Sequence, residues 1–167
     1  VAKILDLGYP GGPKIEALAK NGDPNAFNLP RPMTTKKNHD FSFSGLKTAV
    51  FYEFKKIKKV NDIIKADLAA SFQAAVADTL LMKVNSAMEK TGLNELVIGG
   101  GVASNKYIRE KLVTGLEGSS IFFPPIHRCT DNGAMIAYAG SFYLKDVKQD
   151  MTLNIKPRWP LSDLNDG

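Results

Sequence analysis

The longest regular pattern in the chain is a series of apolar residues at intervals of four: Ile64, Leu68, Phe72, Val76, Leu80, Val84 and Met88. Residues four apart share a helix face, so the series predicts one long helix after Val60-Asn61, ending near 91, with its stripe buried as core. At 1.5 Å per residue it spans roughly 40 Å, long enough to cross a lobe. Just ahead, Leu46, Val50 and Phe54 repeat the spacing and predict a shorter helix that Ser44 can cap. Val1 to about Leu5 reads as the end of a helix, and Pro10-Gly11-Gly12-Pro13 as a turn. Pro13 suits the first position of a helix running to about Lys20. From Asn21 to Asn38, Gly22 and three prolines predict a loop over the surface.

The pattern then changes. Leu96-Val97-Ile98 is a short apolar, partly β-branched run of the kind that forms a buried strand, and it enters Gly99-Gly100-Gly101. A helical pattern follows from about Ser104 to Leu116, then a second short strand at Ile121-Phe122-Phe123 that Pro124-Pro125 ends. A last apolar helix runs from Asp131 to about Leu144, and an extended tail begins at Asp146. Helices interleaved with two short strands predict an α/β fold.

Two junctions concentrate candidate chemistry. Strand, glycine turn and helix at 96–116 form an arrangement in which backbone approaches a phosphate or ribose closely. The run is neither a dinucleotide fingerprint nor a P-loop, because G-x-G-x-x-G and Gly-Lys-Ser/Thr are both absent. The second junction, Cys129-Thr130-Asp131-Asn132-Gly133, opens into the last helix. Its unpaired N–H groups favour an anion, and Asp131 is the group in the cluster suited to a hard or borderline cation. Thr130 or Asp131 can also serve simply as the N-cap, a purely local reason for these residue types.

The 167 residues hold 22 Lys and Arg against 17 Asp and Glu, a net charge of +5. Lys55, Lys56, Lys58 and Lys59 cluster at a helix end, with Lys36 and Lys37 in the preceding loop. Such clusters attract phosphate backbones, and they also simply solvate helix ends. Cys129 is the sole cysteine, which excludes a disulfide framework within the chain and fits a reducing, cytoplasmic setting. It reads as a small, semi-buried residue and not as a nucleophile. No run reaches the roughly 18 apolar residues of a membrane span. His39 and His127 are far apart in sequence, and each is expected in a surface loop.

Together with Tyr9-Pro10-Gly11-Gly12-Pro13 and Asp40-Phe41-Ser42-Phe43-Ser44-Gly45-Leu46-Lys47-Thr48, the two junctions resemble one family, the tRNA adenosine threonylcarbamoyltransferases of bacterial type. The four motifs occur in family order from Val1 to about Tyr143, and Arg158-Trp159-Pro160-Leu161 resembles the tail of bacterial members. The resemblance implies transfer of a threonylcarbamoyl group from threonylcarbamoyl-AMP to the exocyclic amine of the adenosine beside the anticodon. It implies the second RNase H-like lobe of the actin, Hsp70 and sugar kinase superfamily, with a helical insertion at about 44–91. Residues 1–145 would form that lobe without its opening strands, and 146–167 an extended tail. The chain starts at Val1 without a methionine, so it reads as a C-terminal piece.

Carried over residue by residue, the resemblance makes Asp131 the metal ligand of this lobe for one divalent ion, iron or zinc. Histidines of the missing lobe would complete it. Asn105 would bind the nucleotide, Gly12 would approach the adenosine, and Glu16 sits where some members place a ribose-binding acid. Gly99, Gly100 and Gly101 would line the same pocket. Implied partners are tRNA and the TsaB-like and TsaE-like proteins of the modification pathway, with no membrane. The isolated chain is expected to be inactive. Rival readings are a non-catalytic assembly module, a kinase of the same superfamily, and a hydrolase built on Phe43-Ser44-Gly45 with His39 and Asp40. The hydrolase reading lacks the first glycine of G-x-S-x-G.

Overall fold

The computed structural model describes residues 1–32 and 38–144, so Lys36, Lys37 and the tail from Asp146 lie outside the described residues. The chain divides into two units, Val1–Asp131 and Asn132–Gly167. In the first, α1 spans Gly11–Ala19, α2 Ser44–Lys56, α3 Asp62–Thr91 and α4 Lys106–Gly115. Strands β1 (Glu95–Val97) and β2 (Ser120–Phe122) flank α4, with short 3-10 turns at Gly101–Ser104 and Ile126–Arg128. The second unit contributes α5, Gly133–Ser141.

Helix α3 has well-defined ends. The Asn61 side chain accepts the Ile64 N–H at 2.8 Å, and Gly92, in the left-handed region at φ 69°, donates its N–H to Met88. Its 30 residues extend about 45 Å. The apolar stripe does not lie in one plane, because each step of four residues turns the side chain about 40° further around the axis. The N-terminal half therefore packs into a core with Leu5, Leu29, Leu46 and Val50. The C-terminal half serves a second core with Ile108, Leu112 and Leu116.

Of the seven stripe residues only Leu68 is fully buried. Phe72, Val76, Leu80, Val84 and Met88 are partly buried and pack against the two cores, so the stripe is core as expected, and the other fully buried positions of the helix are mostly alanines, Ala66, Ala69, Ala70, Ala74, Ala75 and Ala77. Small side chains there let α1 and α4 pack closely on α3. At Gly22, immediately after α1, a Cβ would sit 2.1 Å from the Ala66 carbonyl oxygen.

The N-terminal residues form a turn in which Leu5 N–H bonds to Val1, and Asp6 adopts φ 58°. Helix α1 starts at Gly11, two residues before Pro13, with Pro10 at its N-cap. In α2 the cap position is Phe43, and the Ser44 hydroxyl pairs with Ser42 at 3.1 Å instead of capping.

Strands β1 and β2 pair in parallel, Leu96 opposite Ile121, and the Ile98 N–H extends the ladder to Phe122. Strand β1 is not the buried strand expected. Alternate residues Leu96, Ile98 and Ile121 pack on the α3–α4 core, whereas Val97 is 79% and Phe122 53% exposed, because one face of the sheet is covered. Helix α5 is shorter than expected and none of its residues is buried. No helix among the described residues is long and apolar enough to cross a membrane.

Candidate functional site

The glycine turn follows β1 directly. Gly100 has φ 86° and ψ 171°, a conformation open essentially to glycine alone. The turn is closed by Ala103 N–H to Gly100 and by the Ser104 hydroxyl to Gly101 at 2.7 Å. A Cβ at Gly99 or Gly100 would meet nothing within 4 Å. Their value to a ligand is thus open backbone, with Gly100 further fixed by its dihedrals.

The next residue, Asn105, caps α4. Its Oδ1 accepts the Ile108 N–H at 2.9 Å, while Nδ2 donates to the Gln73 Oε1 at 2.8 Å. An amide nitrogen carries two hydrogens, so one donor of Asn105 is left for a ligand. Glu16 of α1 reaches the same place: its Oε1 accepts the Lys106 N–H at 2.8 Å across ninety residues of sequence. Gly12 lies one helical turn before Glu16, exposed, with open space at its Cβ position. A cleft of about 340 Å³ opens beside Glu16 and Gln73, lined also by Lys20, Lys106, Tyr107 and Glu110. It does not reach Gly12, Asn105, Asp131 or the glycine turn.

Asp131 ends the first unit. The turn carrying Gly101 packs on the Ile126–Arg128 turn, and the Thr130 methyl lies 3.9 Å from where a Gly101 Cβ would be. Asp131, one residue on, is exposed and among the described residues makes no hydrogen bond or ion pair. The expectation that Thr130 or Asp131 caps the last helix is corrected. Asn132 is the cap, accepting the Met135 N–H at 3.0 Å, because its side chain stands at the right offset from the third helical N–H. Gly133 begins α5 in open space.

Two positioning residues went unseen in the sequence. Gln73, buried in α3, fixes the Asn105 amide; its signal is a lone glutamine inside an alanine-rich helix face. Arg109 of α4 joins both loops. Its guanidinium donates to Ala103 O at 2.5 Å, Pro124 O at 2.7 Å and Cys129 Sγ at 3.1 Å, and lies 4.7 Å over the Phe123 ring. One planar cation therefore holds the glycine turn against the segment leading to Asp131. Cys129 is buried against it, more deeply than expected.

Among the described residues, no group of three or more His, Cys, Asp or Glu side chains could hold a metal. A catalytic site ordinarily takes three protein ligands, and Asp131 is a single carboxylate, so these residues do not form a metal centre by themselves. His127 is exposed in the second 3-10 turn. His39 departs from the expected surface position: both ring nitrogens are buried and, among the described residues, lack a hydrogen-bond partner. Ser44 bonds Ser42, and Asp40 accepts from Asn38, so the Ser–His–Asp relay of the hydrolase reading is not formed.

The family model described as tRNA N6-adenosine threonylcarbamoyltransferase matches residues 1–138. The protein of that name from Thermosipho africanus is 50% identical over 94% of this chain and 48% of its own length. Its counterpart from Herminiimonas arsenicoxydans is 46% identical over 99% of this chain and 50% of its own. The chain thus spans about half the length of the curated relatives it matches. With the family model matching more than four-fifths of its residues, this chain belongs to the tRNA N6-adenosine threonylcarbamoyltransferase family.

Proposed function

We propose that this chain supplies one wall of the adenylate site, and one metal ligand, of an enzyme that transfers a threonylcarbamoyl group to the exocyclic amine of a tRNA adenosine. The observation that carries the reading is the convergence of Glu16 and Asn105 on the N-terminus of α4, directly after the glycine turn. In this reading the second oxygen of Glu16 accepts a ribose hydroxyl. The second N–H of Asn105 donates to the nucleotide. The Gly99–Gly101 backbone admits the phosphate, and Gly12 leaves room for the adenosine.

The exocyclic amine is a poor nucleophile, so these residues contribute chiefly by holding the acyl adenylate still and oriented. Asp131 is proposed as this chain's ligand to a divalent ion, iron or zinc, which when bound would neutralise phosphate charge and polarise the carbonyl. The chain is further proposed to be the second RNase H-like lobe of its superfamily, with α2 and α3 as an insertion. TsaB-like and TsaE-like proteins are its proposed partners.

Two substitutions test this in the intact enzyme. Asp131→Ala should lose bound metal, measured by elemental analysis, together with tRNA modification, and retain its melting temperature. Gly12→Ala should fold normally, because its Cβ meets nothing within 4 Å, yet weaken adenylate binding by calorimetry about tenfold or more, as a methyl in a close-approach site would. Wild-type metal content and wild-type affinity in these variants would sink the reading.

A further inference from the structure

Helix α2 turns Leu46 and Val50 into the core, and at 100° per residue the opposite side carries Thr48, Phe51, Tyr52 and Lys55. Two aromatic rings stay open to water on the solvent side of the helix: Phe51 is 40% and Tyr52 59% exposed. The rings meet edge-on at 5.8 Å, and the Lys55 ammonium lies 4.5 Å above Phe51. Past the end of the helix, Lys58 and Lys59 are also exposed. Residues 41–61 hold five lysines and one glutamate, a net +4 against +5 for the whole chain. That glutamate, Glu53, is paired with Lys56 at 2.6 Å. Phe41 and Phe43, on the approach to α2, stack with their ring planes 10° apart and are both exposed.

We propose that the solvent face of α2 docks the unpaired bases and phosphates of an RNA loop, Phe51 and Tyr52 stacking on bases while Lys55, Lys58 and Lys59 meet the backbone. The inference rests on the reading of tRNA as substrate and adds where the RNA is held. Charge complementarity selects the occupant. Lysine is depleted from protein–protein interfaces, whereas aromatic platforms bordered by cations are how single-stranded nucleic acid is held. Base-paired RNA offers no free ring to stack on, which points to a loop and not to a stem.

The test is a fluorescence-anisotropy titration of the intact enzyme with a labelled, unmodified tRNA anticodon stem-loop, and with a fully paired duplex of the same length. Phe51→Ala with Tyr52→Ala, which removes two stacking rings, should weaken stem-loop binding about 30-fold or more. Phe51→Trp with Tyr52→Phe, which keeps the rings, should retain it. Lys58→Ala with Lys59→Ala should weaken binding and lower the salt slope by about 0.7 for each phosphate no longer neutralised. Lys90→Ala, at the far end of α3, should change neither. All of these positions are exposed, and thermal melting checks each fold. If the folded alanine variants bind like wild type, the face is covered by protein or by nothing, and the proposal falls while the transferase reading stands. Equal affinity for duplex and stem-loop also overturns it. Intact wild-type enzyme that neither binds nor modifies tRNA overturns the function reading and this inference with it.

Discussion

Arg109 shows how much one side chain can organise. Its three acceptors lie on two different loops, and a lysine cannot reproduce the planar fork that reaches them. Arg109→Lys is expected to cost about 2 kcal/mol in denaturant unfolding, the scale of lost charge-assisted hydrogen bonds. It should also loosen the glycine turn, seen as faster amide exchange at Gly101–Ser104. Asp78 is a second such residue. Burial works to raise its carboxyl, but hydrogen bonds from Arg31 and Lys111 outweigh that and hold it below the ordinary carboxylate range. A folded value below the unfolded one stabilises the native state above about pH 4, and the gain disappears as pH falls through the depressed value. Stability measured from pH 6 down to pH 2 should therefore drop in wild type, and Asp78→Asn should flatten part of that limb by about 1 kcal/mol.

Among elements, the turn after α1 meets α3 backbone to backbone at Gly22. A Cβ at Gly22 would overlap backbone atoms of Ala66 and Asp67, which cannot move aside as a flexible side chain can. Gly22→Ala should destabilise by about 3 kcal/mol or more, beyond ordinary overpacking, with the midpoint of urea unfolding as the measurement. The elements themselves were largely legible. The four-residue spacing located α2 and α3, and the apolar runs at 96–98 and 121–123 located both strands to within a residue or two. Burial was less legible. A period identifies a face but not the distance to what packs on it, so most fully buried positions of α3 are its alanines, while of the large stripe residues Leu68 alone is fully buried and the others are partly so.

For the whole 167-residue chain, the outer face of the two-stranded sheet leaves Val97 and Phe122 open to water. Contiguous apolar surface of this kind favours self-association. Sedimentation of the isolated chain should show species larger than a monomer, and Val97→Thr with Phe122→Thr should shift the distribution toward monomer. The same chain, assayed with threonylcarbamoyl-AMP, a divalent metal and unmodified tRNA, should give no turnover, since Asp131, the ligand proposed above, is one carboxylate where a catalytic ion ordinarily takes three protein ligands. Multiple turnovers by a monomer would overturn the proposal that further ligands are needed from outside these residues.

The sequence by itself determined the α/β alternation, the family, and the residue types at each motif, because periodicity, glycine turns and motif order are local properties of a string. Only the tertiary structure brought Glu16 to the N-terminus of α4, set Gln73 beneath Asn105 and clamped two loops with Arg109. Those contacts join residues as far as ninety positions apart, and their geometry depends on how closely alanine faces let the helices approach.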